Sequence, residues 1–97
     1  MMFVRLTHVQ SKPGQMGDVV ALYQSVVLPL LQQQPGFSST QLLTDPLTNK
    51  GISMTVWETE TDRQAADSNG FLLEQIMKVM PFLTAQPISE SYIVEPG

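Results

Sequence analysis

Few side chains in this sequence are equipped for chemistry, and they lie far apart. There is one histidine, His8, one tryptophan, Trp57, and no cysteine. An imidazole titrates near neutrality and can act as a general base. No second histidine or thiol exists to complete a metal site or a nucleophilic dyad, so His8 reads more plainly as a strand-end residue at the rim of an interface. Trp57 closes an apolar run and precedes Glu58-Thr59-Glu60. The two glutamates look like paired carboxylates, but a helix starting there is reason enough for acids. No metal is expected, because nothing has metal-ligand spacing. Arg5 stands between Val4 and Leu6. An arginine inside a strand must reach a carboxylate, a rim or a ligand, and an ion pair with a glutamate on a neighbouring strand is the expectation. Six methionines, among them Met54, Met77 and Met80, suit an adaptable pocket or an ordinary core equally. No glycine-rich phosphate loop, nucleophile elbow or dinucleotide fingerprint occurs, so no cofactor is expected.

The chain bounds these options. At 97 residues it makes one domain, 1–97. A chain this short buries roughly 60–70% of its unfolded surface, a small core that a partner can extend. Only 14% of residues are charged and the net charge is −4. Lys12, Lys50, Lys78, Arg5 and Arg63 are scattered, so the basic footprint of a nucleic-acid binder is missing. The opening MMFVRLTHVQ lacks the pattern of a signal peptide, and no apolar run approaches the ~20 residues of a membrane span. A cytoplasmic protein is expected.

The elements that must position these residues follow from patterning. Met2 to Gln10 has strand composition, broken by Pro13-Gly14. Met16, Val19, Val20, Tyr23, Val26, Val27, Leu30 and Leu31 recur at helical spacing, with Asp18 in the first turn. Pro29 lacks an N–H and crowds the Ser25 carbonyl, which predicts a kink. In QQQPGF the glutamines form an exposed last turn, and Pro35-Gly36 stops the helix and turns the chain into a second strand, Phe37 to Thr44. DPLTNKG turns into a third strand, Ile52 to Thr59. A short polar helix ends at Asn69-Gly70, an apolar helix covers Phe71 to Leu83 with a break near Pro81, and a last strand runs from Ile88 to Val94. The order β-α-β-β-α-β predicts an α+β, ferredoxin-like fold: a four-stranded antiparallel sheet with helices on one face. Val4, Leu6, Ile52, Met54 and Val56 share one strand phase, too apolar for a face open to water. A second protomer packed sheet to sheet is the simplest cover.

Four stretches in order, KPGQ, VVLPLLQQQPGF, SMTVWETE and SNGFLLEQI, span nearly the whole chain. In these the chain resembles the antibiotic biosynthesis monooxygenase family of the dimeric α+β barrel superfamily. The resemblance implies a homodimer whose sheets close into a barrel, with a pocket between each sheet and its helices. Haem-degrading members use an asparagine on strand one, a tryptophan on strand three and a histidine on the last helix. Thr7 stands near the first place, Trp57 matches the second and Gln75 stands near the third, so haem ligation is disfavoured. Members that oxidise aromatic polyketides or quinols work without metal or cofactor, the substrate anion itself reducing oxygen. That resemblance implies Trp57 and Thr7 as catalytic residues, with Arg5, Thr55, Phe71, Gln75 and Tyr92 binding a small aromatic substrate. The superfamily also holds isomerases and proteins of no known reaction, so a non-catalytic barrel that binds a small molecule or serves a structural role stays open. Strand alternation adds one geometric expectation: Trp57 points towards the helices, where Thr7, Trp57 and Gln75 surround one cavity.

Overall fold

The computed structural model describes residues 1–97. Four antiparallel strands, β1 (Phe3–Gln10), β2 (Phe37–Asp45), β3 (Lys50–Trp57) and β4 (Ile88–Ile93), form one sheet in the order β2-β3-β1-β4. Between β1 and β2 lies one helical path: α1 (Met16–Leu22), a π-helical stretch (Tyr23–Val27) and α2 (Leu28–Leu31). Between β3 and β4 come α3 (Glu60–Ser68), α4 (Phe71–Val79) and a 3₁₀ turn at Met80–Phe82. The expected α+β, ferredoxin-like architecture is therefore the observed one. No helix is long and apolar enough to cross a membrane.

The kink expected at Pro29 takes a specific form. The Leu28 N–H reaches back five residues to the Tyr23 carbonyl. Proline cannot supply the N–H that would bond Ser25, and its ring presses on that carbonyl. Opening the preceding turn to π geometry relieves the crowding without ending the helix. The corner after α2 is as read: Gln32 and Gln33 are exposed, and Gly36 adopts φ 76°, outside the comfortable range of an L-residue. The Gly36 carbonyl accepts from the Glu58 N–H at 2.8 Å, tying this corner to the end of β3.

Two boundaries differ from expectation. β3 begins at Lys50 and ends at Trp57, because Thr59 serves the next helix instead. Its side chain caps α3 by accepting from the Asp62 N–H at 3.1 Å. Glu60 and Asp62 in that first turn explain the local acids. α4 stops at Val79, where Pro81 forces the chain into the 3₁₀ turn.

The register assigns the faces. Phe3, Arg5 and Thr7 lie opposite Trp57, Thr55 and Ser53, and this phase faces the helices. Val27, Leu31, Trp57 and Ala66 form the core there, with Phe3, Tyr23, Phe37 and Phe71 packed around them. Phe37 meets Trp57 edge to face at 6.2 Å. The opposite phase carries Val4, Leu6, Ile52, Met54, Val56 and Leu43, as well as Ile88 and Tyr92 of β4. Every residue of β4 is exposed, and Ile88 keeps 67% of its surface open.

Candidate functional site

Between the inner sheet face and the helices lies a cavity of about 90 Å³. Val19, Val27 and Leu31 form its wall on the first helical path, and Phe71, Leu72 and Ile76 form its wall on α4. The sheet contributes Arg5, Thr7, Ser53, Thr55 and Trp57. Strand alternation puts these five on one side without any special turn, since each is two residues from the next in β1 or β3. Gln75 reaches in from α4, buried, its side-chain carbonyl accepting from Lys78 Nζ at 3.3 Å.

Six residues singled out from sequence thus line one space: Arg5, Thr7, Thr55, Trp57, Phe71 and Gln75. Tyr92 does not join them and must be removed from the set. It pairs with Val4 and so lies on the outer face, half-exposed, donating its hydroxyl to Glu90 at 2.9 Å. On that face His8 contacts the same carboxylate at 2.6 Å. The Tyr92 hydroxyl, and then His8, hold the Glu90 carboxyl below the usual range, and Glu90 in turn raises the Tyr92 phenol. No group of three His, Cys, Asp or Glu side chains is gathered to hold a metal ion.

Arg5 does form an ion pair, but not with a strand glutamate. Its guanidinium meets Asp67 of α3, which lies above the sheet rather than within it. Arg63 flanks the pair, 3.9 Å from Asp67, and donates to Ser91 at 2.7 Å. Burial, and then the Arg63 charge, lower Arg5 to about 10, so it stays a cation at neutral pH. Two residues of the cavity wall each hold a donor without a partner: Arg5 Nε and Trp57 Nε1 are both buried and unbonded. Buried N–H groups without acceptors are rare in native folds.

Tyr23, by sequence pattern one more apolar position of the helix, is also a residue of the cavity wall. Its ring does line the cavity, but its hydroxyl meets Thr40 and lies 3.0 Å from Ser53 Oγ. Thr40 and Thr55 hydroxyls are 3.1 Å apart across β2 and β3. A tyrosine on a buried helix face needs a partner for its hydroxyl, and the hydroxyls at alternate positions of β2 and β3 were the available signal.

Fold and cavity together define a ferredoxin-like α+β domain with a mostly apolar chamber between sheet and helices. The chain belongs to the antibiotic biosynthesis monooxygenase family, whose sequence profile matches residues 2–72. Among solved structures it is similar to a monooxygenase from Streptomyces coelicolor in complex with nanaomycin D, at 19% identity and TM-score 0.78, covering 98% of this chain and 88% of that one. A Nitrosomonas europaea protein of unknown function aligns at 21% identity and TM-score 0.80, covering 99% and 91%. A putative antibiotic biosynthesis monooxygenase from Chloroflexus aurantiacus aligns at 18% identity and TM-score 0.72, covering 100% and 96%. No curated protein sequence matches the chain.

Proposed function

We propose that this protein is a cofactor-independent monooxygenase for a small aromatic or quinol compound, bound between sheet and helices. One observation carries the reading: a mostly apolar cavity lined by Arg5 and Trp57, side chains that each hold a buried N–H without a partner. A phenolate supplies what is missing, a flat apolar ring with an anionic oxygen acceptor. Donors that meet the oxygen stabilise the anion, and the electron-rich ring then reduces oxygen. In the balanced reaction a ring C–H carbon becomes a carbonyl whose oxygen is one atom of O2, the phenolic C–O becomes the second carbonyl, and the other oxygen atom leaves as water with the C–H and O–H hydrogens. The substrate supplies all the electrons. Trp57 and Thr7 are assigned as catalytic, with Arg5, Thr55, Phe71 and Gln75 binding the substrate. Membership of the family, and the likeness in fold to a monooxygenase in complex with nanaomycin D, support this reading.

The test is oxygen uptake with simple hydroquinones, corrected for the protein-free rate. Uptake is expected to require the protein, and Trp57→Phe is expected to lower kcat/KM about tenfold by removing one donor to the anion. A second reading, a module that binds a small molecule without converting it, is favoured by the absence of His, Asp and Glu from the cavity wall. Saturable binding with no oxygen uptake decides for it.

The working unit is proposed to be a homodimer formed through the outer sheet face. Leu43 and Ile88 are 49% and 67% exposed there, beside Leu6, Met54 and Val56. At ~25 cal/mol per Å², a face of this kind is worth many kcal/mol when covered. Sedimentation should show a dimer at micromolar concentration, and Met54→Glu should shift it to monomer or to insoluble protein. A wild-type monomer at that concentration contradicts the arrangement.

A further inference from the structure

A second cleft opens on the other side of Tyr23. It lies between the first helical path and β2, with a volume of about 270 Å³. Tyr23 and Leu42 line both the cavity and this cleft, and Thr40 lines the cleft alone. A chain of hydroxyls in contact runs from residues of one space to residues of the other. Ser53 and Thr55 face the cavity. Ser53 Oγ is 3.0 Å from Tyr23 Oη, and Thr55 Oγ1 is 3.1 Å from Thr40 Oγ1. Tyr23 Oη and Thr40 Oγ1 bond each other. Tyr23 is also the first residue of the π-helical stretch, a local geometry that recurs at functional sites.

We infer that Ser53, Thr55, Tyr23 and Thr40 form a proton relay from the buried cavity to water in the second cleft. The inference rests on the proposed chemistry, which needs a phenol ionised in a cavity without a carboxylate or imidazole. The bound phenol's O–H bond breaks, and its proton passes to Ser53 Oγ or Thr55 Oγ1. Each of these releases its own proton onward, and Tyr23 Oη or Thr40 Oγ1 delivers one to a water in the cleft. No protein hydroxyl gains or loses a proton overall, and the phenolate remains among the donors that stabilise it. Two branches meet at the Tyr23–Thr40 contact, so either residue alone keeps one route open. The cavity has one other hydroxyl contact leading outward, Thr7 to the exposed Ser89 at 3.1 Å. It is a single pair ending at the edge strand, β4.

The experiment uses 4-nitrophenol, whose phenolate is coloured, bound to excess protein near the pH at which half of it is ionised. After a temperature jump, the phenolate absorbance of the bound probe relaxes at a rate set by proton exchange with solvent. In the wild type this rate should far exceed the rate at which the probe dissociates. Tyr23→Phe or Thr40→Val alone should lower it only in part. The double variant should lower it to the dissociation rate, because the proton then leaves only with the probe. Ser53→Ala/Thr55→Val cuts the same route from the cavity side and should do the same, which keeps the test open should the first pair fail to fold. Fast relaxation in both double variants, or slowing caused by Thr7→Val instead, overturns the relay and leaves the binding site standing. Failure of the wild type to bind 4-nitrophenol overturns the cavity's proposed function and the relay with it.

Discussion

Asp67→Ala is expected to destabilise the protein by about 2–4 kcal/mol, while Arg5→Met leaves stability nearly unchanged. The asymmetry comes from burial. The Arg5 side chain is 6% exposed and Asp67 is 39% exposed. Removing the carboxylate leaves a buried guanidinium without a counter-charge, facing a second one at Arg63. Breaking one side of a buried pair is costly, whereas an apolar replacement for the buried charge is often neutral or better. The partial exposure of Asp67 lets water screen the orphaned charge, which sets the loss below that of a fully buried pair. Urea melts of the two single variants and of Arg5→Met/Asp67→Ala check this. The double variant should recover most of what Asp67→Ala loses, because the stranded charge has gone. Equal losses in both single variants would show that the pair is worth its Coulomb attraction and little else.

Gly36→Ala is expected to cost about 3 kcal/mol, and Gly14→Ala about 1 kcal/mol, although both glycines have φ 76°. The shared cost is that of forcing an L-residue into the left-handed region. The difference is space. A Cβ on Gly14 meets nothing within 4 Å, whereas one on Gly36 falls 2.6 Å from Asp62 Cβ. Asp62 cannot swing clear, because the contact is at the root of its side chain and its N–H is held by the Thr59 cap. Thermal melts of the two variants separate the backbone term from the clash. Similar melting points would mean that the first turn of α3 moves freely and that the corner does not anchor it.

Much of this architecture was legible because it follows from period. The stripe from Met16 to Leu31 could only be a helix, and Pro29 could only disturb it. Which face Trp57 takes followed from its distance to Thr55 in steps of two. Where reasoning failed, the missing information lay between elements. Alternation places Arg5 on the inner face, yet it does not say which helix residue lies above, so Asp67 was not foreseen. Tyr92 shares its phase with Ile88, but only the pairing of β4 with β1 shows which side that phase faces. Tyr23 was hidden by its own ring, which fits an apolar stripe as well as valine does. Its hydroxyl became informative only once Thr40, Ser53 and Thr55 were brought beneath it.

The strand order has a consequence for how the domain is made. β1 ends in the middle of the sheet, held by β3 on one edge and β4 on the other. It is nevertheless translated before every other element, and its contacts with β4 join residues 82 apart, as from Thr7 to Ser89. Closing so long a loop is slow compared with forming a hairpin. The β2–β3 hairpin is local and can form as soon as its turn is made, so β1 must wait and then dock onto it. Until Ile88–Ile93 arrives, the second edge of β1 is bare, an open template for any passing strand. The centre of the finished sheet spends its early life as a border, and the last six-residue strand is what closes it.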